Sequence, residues 1–490
     1  MPFFQRKMMK ISPILEKYPS YEVVIGIEVH VQLSTNTKIF CACKNSSHAE
    51  PNTNICPICA GYPGVLPVLN KGVINRAILM GLATNCAISK TSQFDRKHYF
   101  YPDLPKNYQI TQQYIPICQE GYVPIRLEDG TTKKIRIKRI HIEEDAGKNM
   151  HVGKESFVDL NRAGTPLLEI VTYPDISSSY EARAYLKMLH ALVNYTHVGT
   201  ANMQDGAFRA DTNISVRKKG AIEYGTKCEL KNINSFKFIG DAIEYEIERQ
   251  IELVESGGKV RQETRLWDTK NKCTITMRSK EEAADYRFFP EPDLALIDLT
   301  EEWIGAVKAE LPELPYQKFD RFCKDMNLSV YEADILVEDP DLAHYFEQAY
   351  AIYPSKGIVN WIMRDILGYL KEHKITLAEC KVTPERLAAL VKLLEASVIN
   401  NRSAREVFEA VAQTGKDPEV IVKEQGLEQV GASAELEAMI KEIIDANQDV
   451  AAELKAGNER LIGFFVGQAM KKSGGKANPK IIQDILKKLL

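Results

Sequence analysis

At 490 residues the chain exceeds what one hydrophobic core organises, and about three domains are expected. A net charge of -3 with 44% hydrophobic residues is ordinary for a globular protein, so bulk charge binds no polyanion, and any nucleic-acid contact needs a local basic patch. No window holds the roughly 18 consecutive apolar residues of a spanning helix, and the basic start MPFFQRKMMK precedes no signal-type apolar core, so a cytoplasmic protein with no membrane partner is expected.

Residues 1–20 form an N-terminal extension to which the sequence assigns no function. From Val23 to Leu33 apolar residues alternate without a break. A strand there turns Val23, Ile25, Ile27, Val29, Val31 and Leu33 to one face and Glu28, His30 and Gln32 to the other. A carboxylate, an imidazole and an amide in consecutive outward positions suit a hard divalent cation with its phosphate, or else form a polar sheet surface.

Cys41-x-Cys43, twelve residues, then Cys56-x-x-Cys59 has the spacing of a tetrahedral structural zinc knuckle, with buried free thiols as the alternative. The use of cysteine suits a reducing compartment, and Cys86, Cys118 and Cys228 read as small core residues. Residues 94–109, FDRKHYFYPDLPKNYQ, interleave Arg96, Lys97 and Lys106 with Tyr99, Phe100, Tyr101 and Tyr108. Rings beside cations suit a single-stranded nucleic-acid end, and the two prolines suit an ordinary packed loop equally.

Three later segments repeat the pattern of the first strand. In IRIKRIHIEEDAGK a bulge near Lys138 leaves Ile140 and Ile142 inward, His141, Glu143 and Asp145 outward, and Glu144 on the opposite side. In TPLLEIV, Glu169 is the only charge, so it is either paired with an arginine or bound to a metal. In FRADTNISVR, Phe208, Ala210, Thr212, Ile214 and Val216 share one face, and Arg209, Asp211, Asn213, Ser215 and Arg217 the other.

Helices interrupt the strands. One is predicted over Ser179 to His197, with Ser178 and Glu181 at capping-box spacing, and another over Phe236 to Glu255, with a stripe of Ile239, Ile243, Ile247, Ile251 and Val254 that stops at Gly257-Gly258. Long strands with helices on one side predict an α+β sheet domain. After Thr300 the periodicity becomes helical, with starts at Thr383-Pro384 and Asn478-Pro479, stops at Gly457 and Gly474-Gly475, and a break near Asn400 to Ser403. Lys471, Lys472, Lys476, Lys480, Lys487 and Lys488 at the end suit phosphate contacts or a solvated helix face.

Together the strands predict Glu28, His30, Glu143, Glu169 and Asp211 on one concave surface. Acidic groups so gathered repel unless divalent cations neutralise them, and Mg²⁺ held by carboxylates is the usual partner of nucleotide phosphates. Candidate phosphate clamps are Arg209, Lys227, Lys231, Arg278, Lys280 and Arg287, with solvated surface as the alternative for any single one. No G-x-x-x-x-G-K-[ST] loop is present, so an ATP site here is sheet-based.

The words YEVVIGIEVHVQL, ICPICAGYPGVLPVLN, KHYFYPDLPKNYQITQQ, DLNRAGTPLLEIVT, CELKNINSF and MRSKEEAADYRFFPEPDL resemble those of the B component of the bacterial aspartyl/glutamyl-tRNA amidotransferases, in the same order from Tyr21 to the C-terminus. The resemblance implies a cradle domain like glutamine synthetase over 21–297, containing the knuckle, an all-α helical domain over 298–405 and an all-α tail domain that holds tRNA over 406–490. It implies a kinase that uses ATP to phosphorylate the side-chain carboxylate of Glu-tRNA(Gln) or Asp-tRNA(Asn). Ammonia released from glutamine by the family's amidase component then displaces the phosphate, and a third, small component completes a heterotrimer. On the same basis Glu28, His30, Glu143, Glu169 and Asp211 form the magnesium and nucleotide shell, beside which Arg209, Lys231, Arg278 and Arg287 of the candidates above are taken as the phosphate clamps by their charge. Lys97, Lys106 and Glu144 resemble the lining of the family's ammonia channel, and the four cysteines its structural zinc site. A tRNA-holding scaffold with an inert acidic face, and a free-standing ligase for a small carboxylic acid, are the competing readings; the helical arm with its lysines disfavours the second.

Overall fold

The alternation of the first strand reappears as burial: Val23, Ile25, Ile27, Val29, Val31 and Leu33 all lie in the core, and the residues between them are half-buried. The computed structural model describes residues 12–46, 49–279, 285–428, 434–473, 477 and 479–490. Residues 1–11 of the extension, Lys280, Gly474-Gly475, Lys476 and Asn478 lie outside the described residues, as does the side chain of Arg278. The chain forms two compact units, Met1–Pro340 and Asp341–Leu490.

The first unit is α+β, as the alternation predicts. Its large sheet has nine strands: β1 (Tyr21–Gln32), β2 (Ala87–Ile88), β3 (Cys118–Arg126), β4 (Thr132–Glu144), β5 (Pro166–Thr172), β6 (Phe208–Lys218), β7 (Cys228–Lys231), β8 (Glu263–Asp268) and β9 (Cys273–Ser279). Their order is β9-β8-β7-β6-β1-β5-β4-β3-β2, antiparallel throughout except between β7 and β8. Three helices, Lys71–Ala83, Ser179–Tyr195 and Phe236–Glu255, join the apolar face of this sheet in one core, where Ile25 and Ile142 meet Ile78, Leu186 and Ile243. With one face closed by helices, the sheet's other face is left to polar side chains.

Local signals account for these elements. Ser178 accepts from the Glu181 amide and so starts the Ser179 helix, which ends at Tyr195, two residues short of the expected His197. The second predicted helix matches at both ends, and Ile239, Ile243, Ile247 and Ile251 are fully buried. Val254 departs from the expected stripe: it lies in the last turn and is 39% exposed, and Gly257 beyond the helix takes up a φ of 81°. The bulge expected near Lys138 is present, since Val171 pairs with Arg139 while Thr172 pairs with Ile137 and Lys138 is skipped.

The second unit is built of helices. Thr383 caps Pro384–Glu395, as its Thr-Pro start predicts. The expected break falls slightly earlier than 400–403, because Asn400 is itself the cap of Asn401–Thr414 and accepts from the amides of Arg402 and Ser403. Residues 434–490 have a core of their own around Leu436, Ile440, Phe465, Ile482 and Leu486. Lys472 and Lys488 pair with Glu442 and Glu437, while Lys471 and Lys487 are exposed.

Candidate active site

Residues opposite one another in an antiparallel ladder share a face, so pairing register decides which polar groups meet. On β1, His30 faces Arg209 of β6 on one side and Glu169 of β5 on the other, and Glu169 in turn faces His141 of β4. Two residues before His30, Glu28 faces Asp211, and on the other side of the His30–Glu169–His141 row Glu143 follows His141 by two residues on the same face. All five nominated groups, Glu28, His30, Glu143, Glu169 and Asp211, therefore share one face of four adjacent strands.

The innermost set is tight. His30 Nε2 lies 3.5 Å from Glu143 and 3.4 Å from Glu169. His141 Nε2 lies 3.3 Å from the same oxygen of Glu169 and 3.8 Å from Glu143. Glu169 thus meets neither an arginine nor, among the described protein groups, any cation but two imidazoles, which corrects the arginine pairing offered from sequence. His141 is the group that sequence reading placed on the right face without a role. Glu229 of β7 is a second addition: Lys231 Nζ lies 3.3 Å from it and also contacts Asp211.

Each group's protonation follows from its neighbours. Burial disfavours the Glu169 carboxylate, but His141 and His30 outweigh that and hold its carboxyl well below the usual range. Burial works against His141 too, yet Glu169 and Glu143 lift it to about 9. Burial likewise opposes the charge on His30, but the hydrogen bond to Glu169 and the nearby carboxylates outweigh it and raise the imidazole. Glu28 has no imidazole beside it, and burial together with Glu169, Asp211 and Glu229 pushes its carboxyl up.

One ligand atom from each of His30, Glu143 and Glu169 falls within 4.8 Å of the others, the convergence a small divalent cation needs. A mixed set of imidazole and carboxylates fits such an ion, and the buried His141 Nδ1 with no partner among the described residues marks a polar position still open to a ligand or water.

Of the nominated clamps, Arg209 and Lys231 border this face. They line a cavity of about 510 Å³ with His30, Asp211 and Asn234. Arg209 donates to Asp145 at 3.2 Å, and Gln32 donates to the same carboxylate at 3.2 Å, so Arg209 is oriented by a fixed anion. The Arg287 guanidinium is 83% exposed and 4.0 Å from Asp285.

Glu144, on the opposite side of β4, contacts Lys106 and accepts from the Ile110 amide at 2.9 Å. The pair lines a small cavity together with Phe40, Cys41, Cys59 and Tyr108. Lys97 sits 4.9 Å from the Tyr286 ring. Burial opposes the charge on Glu143, but His141, His30 and then Lys97 hold its carboxyl low, so Lys97 borders the acidic face itself.

The four cysteines converge. Cys59 Sγ lies 3.5 Å from Cys41 and 3.6 Å from both Cys56 and Cys43. A tetrahedron with metal–sulfur bonds of about 2.3 Å has edges of about 3.8 Å, so these spacings fit a zinc ion. Hydrogen bonding from Cys41 holds the Cys59 thiol well below its ordinary range, and the ammonium of Lys38, 3.6 Å away, adds to this.

Comparison with known proteins agrees along nearly the whole chain. Residues 23–305 match a family model described as the GatB/GatE catalytic domain, and residues 344–490 match one described as the GatB domain. Relatives named as the B component of aspartyl/glutamyl-tRNA(Asn/Gln) amidotransferase include one from Persephonella marina, 51% identical over 96% of this chain and 99% of its own length. Another from Geobacter sp. strain M21 is 52% identical over the same shares, and one from Thermodesulfovibrio yellowstonii is 50% identical over 96% and 99%.

Proposed function

Since this chain belongs to the family of the B component of the aspartyl/glutamyl-tRNA(Asn/Gln) amidotransferases, we propose that its acidic sheet face is the centre where ATP activates the tRNA-borne carboxylate. The chain is one part of a multi-component ligase that converts Glu-tRNA(Gln) or Asp-tRNA(Asn) to the amide by transamidation, with glutamine as nitrogen donor. The observation that carries the placement is the convergence of Glu28, His30, Glu143, Glu169 and Asp211 on four adjacent strands.

A carboxylate is a poor electrophile and lacks a leaving group. An oxygen of the tRNA-borne side chain attacks the γ-phosphorus of ATP, ADP departs, and ammonia then attacks the acyl carbon and expels phosphate. Such transfer depends on alignment and charge compensation more than on covalent help from the protein. His30, Glu143 and Glu169 would hold Mg²⁺, with Glu28 and Asp211 completing the shell, and the ion would supply charge compensation for the phosphoryl oxygens. Arg209 and Lys231, each oriented by its own carboxylate partner, receive the phosphates. His141 fixes Glu169 from the side away from His30.

Lys97, Lys106 and Glu144 line the approach of ammonia from the amidase component, beside a zinc knuckle of Cys41, Cys43, Cys56 and Cys59, and a third, small component completes the heterotrimer. Substituting Glu28→Ala tests the site. In the assembled complex supplied with free ammonia, the variant is expected to lose Glu-tRNA-dependent ATP cleavage; unchanged cleavage would leave the face a scaffold.

Catalysis belongs to the cradle of 21–297 and tRNA holding to the 406–490 tail. Removal of residues 434–490, which have their own core, is expected to weaken tRNA binding and to flatten its dependence on salt, measured by filter binding between about 50 and 200 mM salt. Equal affinity and equal slope would reject a tRNA role for the tail.

A further inference from the structure

Lys38, in the segment that leaves β1, is fully buried, and a cation taken out of water needs an anion beside it. Among the described residues no carboxylate pairs with its ammonium. Nζ donates instead to the Asn54 carbonyl at 3.1 Å and to Cys59 Sγ at 3.6 Å. The negative charge it touches is therefore that of the sulfur cluster.

The frame around this lysine is fixed at both ends. Its backbone amide donates to the Cys43 carbonyl at 2.9 Å, and the amide of Ile39 donates to the Gly164 carbonyl at 3.0 Å. Gly164, at a φ of 79° that suits glycine, lies against the stem, where a Cβ would meet Lys38 Cδ at 3.7 Å. At the far end the Asn54 amide donates to Asn161 Oδ1 at 2.9 Å, and the Asn54 side chain donates to the carbonyls of Lys44 and Ser46. The ammonium thus meets Cys59 as a placed charge, unlike that of a swinging surface lysine.

Four thiolates around a zinc ion leave two negative charges in excess, and here little water reaches them. Cys59 is the buried member of the four, with its sulfur within 3.6 Å of the other three. A compact ammonium that donates to that sulfur offsets part of the excess and withdraws density from its lone pairs. Neutral thiols or disulfides would leave the lysine without an anion, so its burial is a mark of thiolates that is independent of the cysteine spacing. We propose that Lys38 is the fixed counter-charge of the knuckle, retaining the metal through its bond to Cys59 and making that sulfur a poor nucleophile. The inference rests on the zinc reading above.

Lys38→Met keeps the length of the stem and removes the charge. In the assembled complex, competition with a chromophoric chelator is expected to show zinc affinity lowered about ten- to hundredfold, the scale on which loss of a partner behind a metal ligand acts. Two readouts separate this from lost packing. With Co²⁺ loaded in place of zinc, the sulfur-to-metal charge-transfer bands should move to longer wavelength, because a sulfur that loses a cationic donor gives up its electrons more readily. Iodoacetamide should modify Cys59 of the zinc-loaded variant faster than Cys59 of the parent. Lys38→Gln, which keeps a polar end without the charge, should behave as Lys38→Met does, and it serves where the apolar end prevents folding. Zinc affinity within about threefold of the parent, with unmoved cobalt bands, rejects the role of Lys38 and leaves the knuckle standing. Lowered affinity with unmoved bands rejects it too, since the stem then only packs. A parent chain without zinc rejects the knuckle itself, and the counter-charge with it.

Discussion

Glu169→Ala is expected to lower Glu-tRNA-dependent ATP cleavage by the assembled amidotransferase by about 10²–10³-fold or more, on the scale at which loss of one preorganised charged or hydrogen-bonding group slows reactions that depend on charge stabilisation. Glu169 is the hub of the acidic face, 3.4 Å from His30 and 3.3 Å from His141. Its removal takes away a ligand of the proposed cation and leaves the imidazoles of His30 and His141 without the charge that raises them. The loss should fall on kcat with free ammonia as the nitrogen source, because the step affected precedes amide formation. Glutamine hydrolysis by the amidase component should largely survive, since it does not pass through this face. Glu169→Gln separates charge from shape: it keeps the volume and one acceptor but not the anion, so it should resemble alanine in activity while leaving the thermal midpoint nearer the parent. Cleavage within a few-fold of the parent in both variants would remove Glu169 from the chemistry.

Much of this face was legible in sequence because a sheet buried on one side imposes a period of two on its residues. Val23 to Leu33 states its buried face residue by residue, and the segment around Ile140 does so once the bulge at Lys138 is allowed for. Strand order was not legible. That β1 lies between β5 and β6 depends on pairings across more than a hundred residues, which no local pattern records.

The omissions have physical causes as well. His141 was placed on the correct face, but its importance appears only when Glu169 is found opposite it. Glu229 sits in a four-residue strand, too short to show alternation.

Cys59→Ser is the substitution with the other large expected effect, and it separates folding from chemistry. Residues 41–62 contain turns and bends with no helix or long strand among the described residues; Ile39 and Phe40 just before them lie in the core, Phe40 5.6 Å edge-on to Phe94, and Asn52 and Asn54 are hydrogen-bonded to residues 158–161. A segment of that kind cannot bury enough apolar surface to order itself, whereas a four-thiolate zinc site contributes on the order of 10 kcal/mol to the folding of small units at neutral pH. Cys59 is the centre of the cluster, within 3.6 Å of each of the other three sulfurs, so its loss should empty the site rather than weaken it. Elemental analysis is expected to give one zinc per parent chain and none in the variant, and amide exchange over 41–62 should rise while exchange in β1 and β5 stays slow. Because Cys41 and Cys59 line the cavity of Lys106 and Glu144, glutamine-dependent transamidation should fall further than the ammonia-dependent reaction. A parent protein without zinc, or a variant in which both reactions fall together with protection of the central strands, would mean that the knuckle does not have this separate structural role.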